Sequence, residues 1–321
     1  MIDLNLNNSK TEIKIPEILN ASNILPFLRN VSIIFSFENQ HLSNYAMNIS
    51  KLKKINVLGM LLIYKIIEFS VEKNCFRLPQ IYFEDFMEEK WHEYDFIPLI
   101  NSYIAQKDTS KNLKNLTVQM TDKFILAPQP LLRESNFTNN YLKTKFLPKI
   151  NEYYQGKNKV ISMISTCFSE ILLNFWEHAV DDTKSIMIAE GNNSYMEIAC
   201  ADTGNGILST LKNNPKYQNF QNEKLILHST FKNITSKENT NHMGYGLWII
   251  DQIVTAVNGR FHLYSEGAAY INDYGKKKTL KTAHWKGTIV YLALPLNNAK
   301  SLNDIDVFKN KLSDNIKIAF I

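Results

Sequence analysis

The alternation of apolar and polar positions is sharpest in the C-terminal half. Between Val160 and Ala179, apolar residues recur at Ile161, Ile164, Phe168, Ile171, Leu172 and Phe175, steps of three and four that share one face of a helix. Two strand-like runs follow, Ser185–Glu190 and Ser194–Ala201, joined by Gly191-Asn192-Asn193, which suits a hairpin turn. After Asp202-Thr203-Gly204-Asn205-Gly206 the chain becomes polar and Pro-interrupted as far as Asn241. Gly244-Tyr245-Gly246 opens a second helix, Leu247–Val257, which Asn258-Gly259 closes as a C-cap. Strands at about 260–265 and 288–295 complete this half.

The first hundred residues predict a mixed α/β arrangement. Ile13–Ile15, Val31–Phe37 and Tyr45–Ile49 read as strands, Val57–Glu72 as an apolar-striped helix, Ile81–Phe83 as extended and about 85–105 as helical. Residues 110–150, with Pro128, Pro130 and Pro148 and no long periodic segment, read as a connector. The expected organisation is an α/β domain over 1–110, a connector over 111–155, a second α/β domain over 156–298 and an extension over 299–321.

Composition narrows the classes. With 321 residues, 45% hydrophobic and 21% charged, the chain is long enough for two packed domains and too apolar for wholesale disorder. A net charge of +5 is mild, and apart from Lys276-Lys277-Lys278, read as a solvated loop, the basic residues are scattered, so nucleic-acid binding is not expected. The longest apolar run, Val57–Tyr64, is far short of the roughly 20 residues a spanning helix needs, and the N-terminus lacks a basic and an apolar signal region. Cys75, Cys167 and Cys200 form no CxxC pair, which suits reduced thiols in a cytoplasmic protein.

Three groups of residues are candidates for chemistry. Glu170, Asn174 and His178 fall at i, i+4 and i+8, stacked on one helix face. A carboxylate and a carboxamide at that spacing can polarise a water and ligate a hard cation, although the same spacing describes any polar helix face. In the loop Asp202–Gly206, one carboxylate can accept a hydrogen bond from an exocyclic amine while Gly204 and Gly206 let the backbone approach a flat ligand. An ordinary Asp-Gly turn is the plainer alternative. A calcium loop is excluded because Asn213 stands at its twelfth position, and a dinucleotide fingerprint because Ser209 replaces the third glycine. Gly244-Tyr245-Gly246 before a helix offers free N–H groups to an anion.

The order of these parts is more specific than any one of them. A helix with Glu-x-x-x-Asn-x-x-x-His precedes a hairpin ending Asp-x-Gly-x-Gly; a variable polar stretch leads to Gly-x-Gly-Leu opening a helix; Gly-Thr then leads a strand ending Leu-Pro. Over about 160–296 the chain resembles the GHKL superfamily of gyrase, heat-shock chaperone, histidine kinase and MutL ATPases. The resemblance implies a Bergerat-type sandwich, with helices on one face of a mixed sheet, binding ATP and Mg2+. It implies Asn174 as the magnesium ligand, Glu170 as the acid that orients or activates the attacking group, and Asp202 as the adenine reader supported by Gly204, Gly206 and Thr288. Gly244 and Gly246 would let a lid over about 212–243 close on the phosphates, with Lys237 or His242 reaching a phosphate. His178, Ile207, Tyr245 and Leu247 complete the expected nucleotide-contacting set. Asp202→Asn should then abolish ATP binding with little loss of folding.

Other features bear on what happens to the nucleotide. Glu177 stands where histidine kinases often place a basic residue, and the lid signatures of the gyrase and chaperone branches are missing. Residues 49–62 look like the strand–loop–helix of STAS-type domains, regulatory partners of GHKL switch kinases, but Val57 and Leu58 occupy the places where a phosphorylatable Ser or Thr commonly sits. His92 in Trp91-His92-Glu93-Tyr94-Asp95-Phe96-Ile97-Pro98-Leu99 is a near miss to a phosphoacceptor box. The expectation is an ATPase or ATP-gated switch of bacterial signalling or defence. A kinase acting on a separate protein, and a nucleotide-sensing module without turnover, are the alternatives. A protein partner, STAS-like or encoded alongside, and a homodimer are expected to accompany either.

Overall fold

The computed structural model describes residues 11–36, 45–72, 81–82, 85–94, 96, 118–120, 123–130, 144, 146–178, 185–234 and 244–305. In chain order the N-terminal part gives β1 (Thr11–Lys14), β2 (Ile18–Leu19), α1 (Ile24–Ser36), β3 (Tyr45–Asn48), β4 (Lys54–Ile55), α2 (Val57–Glu72), β5 (Ile81–Tyr82) and α3 (Asp85–Glu93). Strands β1, β3 and β5 form a parallel three-stranded sheet, and β2 pairs with β4, also in parallel. Parallel neighbours need crossovers, which α1 and α2 supply. Of the expected strand Val31–Phe37, residues 31–36 are instead the second half of α1, and Phe37 lies outside the described residues. Val31, Ile33 and Ile34 favour a strand locally, but Ile24, Phe27, Leu28, Val31, Ile34 and Phe35 recur at helical spacing and all are buried.

Helix α2 is buried from Val57 to Ser70, so it is a central rod rather than a striped surface helix. Asn56 starts it twice over: its carboxamide oxygen accepts from the Gly59 N–H at 3.2 Å, and its nitrogen donates to Glu197 Oε2 at 3.2 Å. Two of the charges this helix carries pair with each other, Lys65 with Glu68, which also accepts from the Tyr64 hydroxyl at 3.2 Å.

The remainder supplies β6 (Val118–Met120), β7 (Phe124–Pro130), α4 (Leu147–Tyr153), α5 (Asn158–His178), β8 (Ile186–Gly191), β9 (Tyr195–Ala201), α6 (Ile207–Lys212), α7 (Asn222–His228), α8 (Gly246–Ala256), β10 (Arg260–Ser265), β11 (Ala268–Asp273), β12 (Lys276–Lys281) and β13 (Thr288–Pro295). Eight strands make one sheet in the order β12-β11-β10-β13-β9-β8-β7-β6. Every neighbouring pair in it is antiparallel, where a mixed sheet was expected. The stretch read as a connector contributes β6 and β7. The lysine trio read as a loop lies in β12, the outer strand, with all three lysines exposed.

Both faces of the sheet are covered, not one. Along β13, Ile289 and Tyr291 join the cluster that includes α1 and α2, while Val290, Leu292 and Leu294 join the cluster that includes α5 and α8. Strand β9 repeats the alternation, with Ala199 and Ala201 on the first side and Met196, Ile198 and Cys200 on the second. Period-two side chains that are apolar at both parities require a layer on each face. Part of the segment expected as a lid, about 212–243, is packed into the core. Tyr217, Leu225 and Ile226 are buried in the second cluster, which fixes α7 and the turn before it. Helix α8 ends with Asn258 in the left-handed conformation (φ 58°). The Gly259 N–H returns to the Val254 carbonyl at 2.8 Å and the Asn258 N–H to the Thr255 carbonyl at 3.2 Å, a Schellman closure. Among the described residues no helix is long and apolar enough to cross a membrane.

One position tests how tightly the N-terminal elements are fitted. A methyl group on Gly59 would lie 2.5 Å from the Leu19 carbonyl oxygen and 2.7 Å from Ile55 Cγ1. Helix propensity alone favours Gly59→Ala by about 1 kcal/mol, but overpacking against backbone costs about 1–3 kcal/mol. Gly59→Ala is therefore expected to lower the urea midpoint; an unchanged or raised midpoint would show that β2 yields freely.

Candidate functional site

The first part of the site lies where α5 meets the start of α8. Glu170 and Asn174 are half-buried on α5, one turn apart. A Cβ on Gly246 would fall 2.8 Å from Glu170 Oε2 and 2.9 Å from Asn174 Nδ2, so the absence of a side chain at 246 is what admits both groups to the first turn of α8. The Asn174 nitrogen donates to the Glu170 carbonyl at 2.7 Å. That bond orients the carboxamide and leaves its oxygen as the atom a cation would take. His178 is the last residue of α5, and its side chain lies outside the described residues. Cys167 sits one turn before Glu170; burial, aided by the charge of Glu170, pushes its thiol well above the usual range, so it is no nucleophile.

The second part is the Asp202 loop at the end of β9. Asp202 is only 2% exposed. Its Oδ1 accepts the Gly204 N–H at 2.9 Å, and its Oδ2 the Thr288 N–H at 3.2 Å. Its own N–H donates to the Thr288 carbonyl at 3.0 Å, and its carbonyl accepts the Trp285 indole N–H at 3.0 Å. Gly287, at φ 89°, permits this approach, since a Cβ there would sit 2.5 Å from the Asp202 carbonyl oxygen. The acid is thus a fixed acceptor held by residues of the segment 285–288.

Beyond Gly206, the free N–H groups at the start of α6 are already taken. The Ile207 N–H donates to Ser265 Oγ and to Thr288 Oγ1, each at 3.2 Å, and the Ser209 N–H to Glu266 Oε2 at 2.8 Å. Ser265 and Glu266, at the β10–β11 turn, therefore complete the loop, and Glu266 accepts a left-handed backbone (φ 47°) to do so.

A cleft with about 340 Å³ of empty space, its solvent-open mouth included, joins the two parts between the helical layer and the sheet. Asn174 and Phe175 of α5, Asp202 and Asn205 of the loop, Ile207 of α6, Leu247 of α8, Leu263 of β10, and Thr288 and Val290 of β13 line it. Of the residues expected from the sequence, Asn174, Asp202, Ile207, Leu247 and Thr288 lie on its wall, and Glu170 and Gly246 lie against Asn174. Gly204 and Gly206 shape the Asp202 loop. Gly244, at φ 64°, fits against the Ile234 carbonyl, a Cβ there falling 2.6 Å from that oxygen. Tyr245 is the N-cap of α8, beside Trp248, whose ring carries the Lys232 ammonium at 4.0 Å. Lys237 and His242 lie outside the described residues.

Phe175, Asn205, Leu263 and Val290 were not singled out from the sequence. The strand alternation at Leu263 and Val290 and the helical step from Asn174 to Phe175 were available signals, but only the sheet order shows that they share a wall. Among the described residues no three His, Cys, Asp or Glu side chains gather as a metal cage. Asn174 and Glu170 can instead supply one or two oxygens to a hard cation whose remaining ligands come from a bound anion or water. The site combines apolar walls, one buried acceptor and a place for a cation, features suited to a flat, amine-bearing ring attached to an anionic tail. No protein-family model, curated protein or solved structure matches the chain.

The geometry revises one expectation. Both Asp202 oxygens receive backbone N–H groups, so Asp202→Asn turns an NH2 group toward one of those donors. A buried mismatch of this kind costs about 1–3 kcal/mol. The variant is expected to fold with a lower urea midpoint than the parent; a midpoint unchanged within error would mean that the two backbone bonds do not hold the acid.

Proposed function

We propose that this chain binds Mg·ATP as a GHKL-type protein with a Bergerat-type C-terminal half, and acts as an ATP hydrolase or ATP-gated switch in bacterial signalling or defence. The observation that carries the reading is one cavity walled by Asn174, Asp202 and Thr288, with Glu170 and Gly246 against Asn174. Five positions separated by up to more than a hundred residues converge there, which supports the roles that the motif order implies. The wholly antiparallel sheet departs from the mixed sheet of the resemblance, so the reading rests on the site and not on topology.

In this reading the base enters between Ile207, Leu263 and Val290, with Asp202 accepting its exocyclic amine. The Asn174 oxygen would hold the metal, which would neutralise charge on the phosphates. Glu170 orients the attacking water and takes its proton as the water oxygen bonds to the γ-phosphorus and the β–γ phosphoanhydride bond breaks to release ADP, a role typically worth about 10²–10⁴ in rate. Val57 and Leu58 carry no hydroxyl, which speaks against phosphoryl transfer to the loop that precedes α2.

Calorimetry and phosphate release test the assignment. The parent protein is expected to bind Mg·ATP. Glu170→Gln should keep that affinity within about threefold while losing about 10²-fold or more in phosphate release. Asn174→Ala should weaken ATP binding in the presence of Mg2+ by about tenfold or more and leave binding in EDTA nearly unchanged. Gly246→Ala, which crowds only the ends of two flexible side chains, should weaken Mg·ATP binding without lowering Tm. A parent protein that binds no ATP sinks the reading. Tight binding without release would assign the chain to the non-hydrolysing switch.

A further inference from the structure

We propose that Trp285 is a positioning residue through which the N-terminal half sets the grip of Asp202 on the nucleobase. The inference rests on the nucleotide reading of the pocket and adds its regulation.

Trp285 belongs to both halves of the molecule. Its indole N–H donates to the Asp202 carbonyl at 3.0 Å, yet its ring is buried in the cluster built on α1 and α2. Phe35, at the end of α1, meets the Trp285 ring edge to face at 5.1 Å, and Phe69, near the end of α2, meets Phe35 in the same manner at 5.0 Å. The next residue, Lys286, places its ammonium 5.8 Å from the Phe69 ring centre. The segment 285–288 therefore has the nucleobase acceptor on one side and the ends of the two N-terminal helices on the other.

Little slack exists between them. Gly287 lies too close to the Asp202 carbonyl for any side chain, and its own carbonyl accepts from Ser265 Oγ at 2.8 Å. The Trp285 carbonyl accepts the Glu266 N–H at 3.0 Å. At its other end α2 is tied to the sheet through Asn56 and Glu197. A change that tilts α1 or α2 is thus pinned at Asn56 and expressed at Phe35 and Phe69, where it bears on Trp285. Packed interiors transmit such displacements because they hold no voids to absorb them. By reciprocity, a base that draws on Asp202 biases the N-terminal helices equally.

A thermodynamic cycle on ATP affinity tests the coupling. Trp285→Phe keeps an aromatic ring for Phe35 and removes the N–H donor. Its Kd for ATP and for ADP should rise by one common factor, about 3- to 10-fold, the size of one net hydrogen bond, because the contact lies at the base and not at the phosphates. Phe35→Leu should raise the ATP Kd by about 2- to 5-fold in the parent and leave it unchanged in the Trp285→Phe background. All titrations are made well below the Tm of each variant, so that general loosening does not enter. Parental affinity in Trp285→Phe, or effects of the two substitutions that simply multiply, would overturn the coupling while leaving the pocket intact. Failure of the parent to bind ATP overturns the pocket itself, and the coupling with it.

Discussion

An antiparallel sheet that is apolar at both parities has no stable existence until both of its faces are covered, and most of this architecture follows from that constraint. Strands β9 and β13, the central pair, carry aliphatic side chains on each side. One face takes α5 and α8, the helices that bring Glu170, Asn174, Gly246 and Leu247 to the cavity. The other takes α2, which is buried around its whole circumference from Val57 to Ser70. The two halves of the chain are consequently not beads on a linker. The N-terminal helices complete the core of the sheet that holds the pocket.

Elements with one dominant period were legible from the sequence. Helix α5 announces itself by steps of three and four, α2 by its apolar run, α8 by the glycines that open it and the Asn258-Gly259 that closes it, and the hairpin β8–β9 by its Gly-Asn-Asn turn. Where two signals compete, local preference misleads. In α1 the β-branched residues 31, 33 and 34 suggest a strand, and only burial of the face that includes Ile24, Phe27 and Phe35 decides for a helix. Strand β12 hides behind its lysines, because an edge strand needs few apolar residues. Strands β6 and β7 hide in a proline-bearing stretch, Pro130 closing β7 at its end.

The site divides along the same line. Residues fixed by local chemistry, an acid followed by glycines or a glycine opening a helix, could be named in advance, and the cavity gathers them. Residues that act at long range could not. Trp285 reaches Asp202 across 83 positions, and Ser265 reaches Ile207 across 58. Nothing in the neighbourhood of either residue marks it, since each acts through partners that only the sheet order brings near. The acid at 202 was thus readable as a candidate acceptor, but its dependence on four bonds to the chain was not.

The lysines of the outermost strand have a consequence for assembly. Among the described residues β12 ends the sheet, and its rim of backbone groups is the natural template for another strand. Lys276, Lys278 and Lys281 project from it into solvent, while Lys277, also exposed, pairs with Asp251 of α8. Two copies zipped rim to rim would bring these rows of ammonium groups together, an arrangement opposed by like-charge repulsion at every register. The strand therefore guards an open flank by electrostatics alone, and the chain can remain crowded with its own kind without growing into a continuous ribbon.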